Sequence, residues 1–238
     1  MTAAARNDRE PSGPEREVEW MRLTAPELRD RAAANALVIV PVASLEQHGP
    51  HLATGTDIVL GTEVSHRTAR RLAGAGQPVV VTPCVWTGLA EHHVAFGGTV
   101  SLDYAAFFAV LRGVVRSAKR AGFARVMLLN GHGGNAEAVA LASSELSAEF
   151  GLRVAAGTYW HLTGEVIAPI LERQPGLMHA ERGDRRRARG HPGQGRGPAR
   201  SDLGPDRGTD AEPRTVALNR FVTAPAGAPR PRPTARRR

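Results

Sequence analysis

Two rhythms of apolar residues alternate along this chain. Residues 36–42, ALVIVPV, form an unbroken β-branched run, as expected of a strand buried on both faces. Shorter apolar runs at 77–82 (QPVVVT), 124–130 (ARVMLLN) and 152–158 predict three further strands. Between them the spacing turns helical. Residues 58–72 and 135–150 read as long helices, and 104–121 as an amphipathic one with Phe107, Phe108, Leu111, Val114 and Val115 on its apolar side. A short helix is predicted over 25–35, where Thr24 can serve as N-cap, and a last one over 163–173. Strands alternating with helices of this length predict βαβ units, and so an α/β fold with a mostly parallel sheet covered on both faces.

The pattern stops near His179. Residues 180–238 contain 8 Gly and 8 Pro but only five residues from Val, Leu, Ile and Phe. Such a segment cannot bury enough apolar surface to offset its ordering entropy, so a disordered tail is expected. Residues 1–18 are polar and proline-containing, and are expected to be mobile. Residues 19–179 are left as one α/β domain.

Charge sharpens that division. The whole chain carries +8, which would suit a nucleic-acid binder. Residues 1–179, however, hold 16 Lys/Arg against 17 Asp/Glu, whereas 180–238 hold 15 Arg against 6 Asp/Glu. The basic character belongs to the tail, which has only Phe221 to stack on a base, so nucleic acid is not an expected partner. A single cysteine, Cys84, excludes an internal disulfide and suits a reducing compartment. No apolar stretch approaches the roughly 20 residues that span a bilayer, and the N-terminus shows no secretory h-region. A soluble cytoplasmic protein without a membrane partner is the expectation.

Candidate chemistry gathers in SLEQHGPHLATGTD, residues 44–57. Glu46 and His48 are two apart, which in extended backbone puts both side chains on one face. They follow the first strand, and His132 follows the third in NGHGGN, so all three lie at carboxyl ends of strands, where open α/β sheets bind ligands. Asp57 lies at the start of the first long helix. Glu, His, Asp and His make a mixed nitrogen and oxygen set suited to Zn²⁺ or Mn²⁺ rather than a soft metal. A carboxylate between two ions could bridge them, and a shared water would then be an available nucleophile. The same residues also fit a polar turn, since Glu-x-His arises by chance and the glycines of NGHGGN permit a tight strand-to-helix turn. A phosphate loop is disfavoured, because no lysine follows and the spacing fits neither GxxxxGK nor GxGxxG.

The ordered set SLEQHGPHL (44–52) with Asp57, GLAEHH (88–93), GGTV (97–100) and NGHGGN (130–135) resembles the creatininase family of metal-dependent amidohydrolases, over about residues 19–180. The resemblance implies a three-layer α/β/α sandwich assembled as a homo-oligomer, typically a hexamer. It also implies two divalent metal ions (Zn, Mn or Fe) at the carboxyl edge of the sheet. By position, Glu46, His48, Asp57 and His132 match metal ligands, with Asp57 as the bridge. His92, His93 and His179 match family segments near the site and are the catalytic candidates, and Glu91 lies in the same segment. The implied reaction is hydrolysis of a C–N amide bond, often cyclic, in a small-molecule substrate by metal-bound water. The family includes the maturation peptidase of mycofactocin-type redox cofactors, so cleavage of a small modified peptide is the alternative. Tyr159 and Trp160, just past the fourth strand, could line a pocket at the same edge or pack in the core.

The resemblance breaks inside its last motif. Family members usually continue past the equivalent of His179 with a segment such as HAGExETS, whose glutamate completes the dinuclear site. Here Ala180 is followed by Glu181-Arg-Gly-Asp and then arginines. Codons for 181–184 read one nucleotide later permit Ser-Gly-Glu-Thr, so a reading-frame shift near Ala180 would account for both the lost motif and the Arg/Gly/Pro-rich tail. Resequencing codons 178–185 tests this; an intact frame, with the tail confirmed by intact-protein mass, sinks it. Without that glutamate the second ion loses a ligand. Glu181 stands nearest in sequence, but Arg182, Arg185, Arg186 and Arg187 oppose cation binding there.

Overall fold

The structure is a computed structural model that describes residues 17–162. The helix predicted over 163–173, His179 and the tail at 180–238 lie outside the described residues, as does most of the N-terminal segment. The four predicted strands form one parallel sheet: β1 (Leu37–Val42), β2 (Val79–Val81), β3 (Arg125–Asn130) and β4 (Arg153–Thr158), in the order β2-β1-β3-β4. Register is continuous across the sheet, with Val38 opposite both Val80 and Val126, and Val126 opposite Val154.

The strand period of two sends alternate residues to opposite faces. Val38, Val40, Val42, Val126 and Leu128 join one core cluster with Phe107, Leu111, Val115, Val139 and Leu146. These partners come from helices α4 (Tyr104–Arg120) and α5 (Ala136–Phe150). Leu37, Ile39, Val79, Val81, Met127 and Leu129 join the other cluster, with Ala69 of helix α2 (Thr56–Gly74). Both faces are covered, which is why β1 could be uniformly apolar, and the result is the expected α/β/α layering. Among the described residues no helix is long and apolar enough to cross a membrane.

Helix α1 (Ala25–Ala33) starts where Thr24 was expected to cap it, and adds a reciprocal capping box. The Thr24 side chain accepts from the Glu27 N–H, and Glu27 accepts from the Thr24 N–H at 2.7 Å. The helix ends before the predicted 35 because Asn35 takes the left-handed conformation, φ 55°. Two single turns of helix were not predicted, α3 (Glu91–Val94) and α6 (Tyr159–Leu162).

The strand order matters most for function. The chain leaves β1 to build β2 on one side, then returns to build β3 on the other. The helix after β1 covers one face and the helix after β3 covers the opposite one. Their connections therefore part company above adjacent strand ends, which is the crevice where doubly wound sheets bind ligands.

Candidate metal centre

The loop after β1 is tied down by hydrogen bonds from its backbone. The Glu46 N–H donates to the Thr54 carbonyl at 3.0 Å, and the Val100 N–H to the Leu45 carbonyl at 2.9 Å. The Gln47 N–H donates to Thr99 Oγ1 at 3.1 Å. Glu46 is thereby fixed with its side chain fully buried, and His48, Asp57 and His132 are buried too.

Asp57 reaches the crevice because α2 passes unusually close to the loop after β3. A Cβ on Gly131 would lie 3.2 Å from the Gly61 Cα and 3.5 Å from the Asp57 carbonyl oxygen, so a pair of glycines permits the approach. The helix starts at Thr56, two residues before its apolar periodicity, and this puts the Asp57 carboxylate in the first turn, where the helix dipole favours a negative charge.

His132 is held from both ends. The Asn130 side chain donates to the His132 carbonyl at 2.6 Å and accepts from the His132 N–H at 3.1 Å. Asn130 is itself oriented by Thr158 Oγ1 at 2.9 Å. The ring Nε2 faces the Leu89 carbonyl at 3.2 Å and so carries a proton, since a carbonyl only accepts. Asn135 fixes that carbonyl's loop, accepting from the Leu89 N–H at 2.9 Å and donating to the Ala43 carbonyl at 3.0 Å.

The other ring nitrogen, His132 Nδ1, lies 3.0 Å from Glu46 Oε1 and 3.0 Å from Asp57 Oδ2. The ligand atoms of Glu46, Asp57 and His132 all fall within 4.8 Å of one another. Burial alone would push the His132 imidazole down. The hydrogen bonds to Asp57 and Glu46, and the charges of both, overcome it and raise the group to about 9. Two buried carboxylates thus converge on one proton. A divalent cation would neutralise them better, so the donor set fits a hard or borderline ion.

The fourth expected ligand sits differently. His48 Nε2 lies 3.1 Å from Asp57 Oδ1, and its Nδ1 lies 3.1 Å from the Glu46 backbone carbonyl. His48 stands outside the tight trio, but it shares Asp57 with His132, one carboxylate oxygen to each ring.

Of the catalytic candidates, His92 is exposed and stacks over His132 with ring centroids 6.4 Å apart and planes at 17°. His93 is buried on the other side of Glu46, its Nε2 3.7 Å from Glu46 Oε2. His179 lies outside the described residues. Tyr159 is partly buried against the α2-side core, and its phenol is pushed up by burial and then by the charge of Asp57, so it borders the site. Trp160 packs edge-on against it at 4.9 Å. The sequence did not single out Gln47, Asn130 or Asn135 as individual contributors. The two asparagines flank His132 in NGHGGN, and paired amides beside a buried histidine were the available signal.

Gly134 offers a direct test of this scaffolding. A Cβ there would sit 2.3 Å from the Leu89 carbonyl oxygen and 2.5 Å from His132 Nε2. Gly134→Ala is expected to dislodge the acceptor that orients His132 and to weaken metal affinity by about 10–100-fold, as for other losses of support around a ligand. Competition with a chromophoric chelator reads this, and an unchanged affinity removes Leu89 from the account.

A model of the creatininase family, described as creatinine amidohydrolase, matches residues 21–185. The mycofactocin precursor peptide peptidase of Mycolicibacterium smegmatis is 41% identical over 114 residues, 48% of this chain and 46% of the relative. The 3-dehydro-scyllo-inosose hydrolase of Thermotoga maritima is 33% identical over 117 residues, 49% of this chain and 36% of the relative. The chain thus spans less than half the length of these curated relatives. The crystal structure of a creatinine amidohydrolase superposes with a TM-score of 0.61 at 28% identity, covering 68% of each chain.

Proposed function

The chain belongs to the creatininase family, and from that premise we propose that it is a metal-dependent amidohydrolase, cleaving a C–N amide bond, open or cyclic, in a small molecule. The observation that carries this reading is the buried Glu46, Asp57 and His132 trio, with ligand atoms within 4.8 Å, at the crevice of a parallel sheet. These three residues would hold one divalent ion, Zn, Mn or Fe. Asp57 and His48 would contribute to a second. A bound divalent ion supplies Lewis acidity, polarising an amide carbonyl and lowering the pKa of water. The chain's own residues supply placement: Leu89 and Asn130 fix the His132 ring so that Nδ1 faces the carboxylates. His92, exposed beside that ring, is the described group placed to pass a proton to a departing amine.

Cleavage of a small modified peptide is the second reading, favoured by the 41% identity to the mycofactocin precursor peptide peptidase. A homo-oligomer in a reducing cytoplasm fits both; the single Cys84 supports the compartment and the resemblance supports the assembly. The test uses the full chain, loaded in turn with Zn, Mn and Fe, and then offered cyclic amides, formylated amines and short peptides, with products read by mass spectrometry. Metal-dependent release from small amides supports the first reading, and release from peptides alone supports the second. If no metal is retained after dialysis, both fail.

A further inference from the structure

His93 was a catalytic candidate by position, yet it is 2% exposed and lies on the side of Glu46 away from His132. Its surroundings fix its protonation by elimination. The Gly49 N–H donates to Gln47 Oε1 at 2.8 Å, so the oxygen of that amide faces Gly49. The amide nitrogen, Gln47 Nε2, therefore faces His93 Nδ1, 3.2 Å away. An amide nitrogen only donates, so Nδ1 must accept, and the ring proton sits on Nε2. Glu46 Oε2 lies 3.7 Å from that nitrogen. The separation exceeds a hydrogen bond, so the interaction is electrostatic orientation rather than a formed bond.

We infer that His93 is a positioning residue for the metal centre: locked by Gln47 with its proton on Nε2, it holds Glu46 Oε2 so that Oε1 is the oxygen presented to His132 and the ion. This deepens the metallohydrolase reading and rests on it. A line of contacts from Gly49 through Gln47 and His93 sets the orientation of a carboxylate that is fully buried. Such a group cannot be aligned by solvent, and a misaligned ligand carboxylate costs affinity. The role differs from proton transfer, because Nδ1 is committed to Gln47 and the ring is buried.

The test measures Zn²⁺ affinity of the EDTA-stripped full chain by competition with a chromophoric chelator, which needs no substrate. His93→Phe should lower affinity by about 10–100-fold. His93→Gln, whose amide nitrogen reaches close to the position of Nε2, should recover most of that loss. His93→Asn, whose nitrogen reaches only as far as Nδ1, should not. A His93→Phe chain that binds as tightly as wild type overturns the inference, and so does equal loss in the Phe and Gln variants, which would mean that only ring packing mattered. Should His93→Phe fail to fold by circular dichroism, Gln47→Leu decides. It frees the ring proton to sit on either nitrogen, so affinity should fall several-fold, and no change overturns the inference. Failure of the wild-type chain itself to bind Zn²⁺ would instead bring down the metal reading, and this inference with it.

Discussion

Asp57→Asn is expected to erase the stabilisation that a divalent ion confers on the chain. Asp57 is the residue on which the two sides of the site converge, with Oδ2 3.0 Å from His132 and Oδ1 3.1 Å from His48. Asparagine keeps the shape but removes the charge, and turns an amide nitrogen toward one of the two rings. An ion supplied at about 100 times its dissociation constant stabilises the native state by about 2.7 kcal/mol. For a domain of this size that corresponds to a rise in Tm of roughly 5–10 °C. Wild type should show this rise with Zn²⁺ or Mn²⁺ in a thermal melt, and Asp57→Asn should show none. Glu149→Gln serves as the control, since Glu149 only pairs with Arg112 on the surface. A full metal-induced rise in Asp57→Asn would remove Asp57 from the ligand set.

The sheet was legible because its strands are buried on both faces and so announce themselves as β-branched runs. LVIVPV and RVMLLN needed no context. Strand β4, RVAAGT, is the weakest of these apolar runs, because its alanines and glycine have little intrinsic strand preference. The strand order was not legible. Nothing in local spacing says that the chain returns across β1 to build β3, yet that return makes the crevice.

The site was legible in its ligands and silent in its scaffolding. Glu46, His48, Asp57 and His132 could be gathered because they fall at strand ends and a helix start. The two sides of Glu46 could not be told apart, because adjacent His92 and His93 look equivalent in sequence. The unpredicted turn α3 separates them, leaving one exposed over His132 and the other buried behind Glu46. Backbone groups such as the Leu89 carbonyl carry no residue signature at all, although Leu89 fixes the tautomer of His132.

Stripped of metal, the chain is expected to lose stability as pH rises from 6.5 to 9, and this loss should vanish when metal is bound. His132 has an ordinary value of 6.5 and is raised to about 9 in the folded chain, where hydrogen bonds to Asp57 and Glu46 outweigh the opposing effect of burial. A group raised in the folded state stabilises it fully below the unfolded value and loses that contribution as pH climbs through the folded one. The difference amounts to about 3 kcal/mol. Cys84 confuses the measurement little, because burial raises it from 9.0 to about 11 and its own loss falls above this window. With an ion bound, the shared proton on Nδ1 is displaced and the slope has no source. The same exchange makes metal affinity climb by up to about tenfold per pH unit through the window. Urea midpoints of EDTA-treated and Zn²⁺-loaded chain, taken from pH 6.5 to 9, measure both effects. The EDTA-treated midpoints should fall and the loaded ones hold, and His132→Gln should flatten the first series. A flat series for the EDTA-treated wild type would mean that the two carboxylates do not share the His132 proton, and that the trio lacks the charge that makes it attractive to a cation.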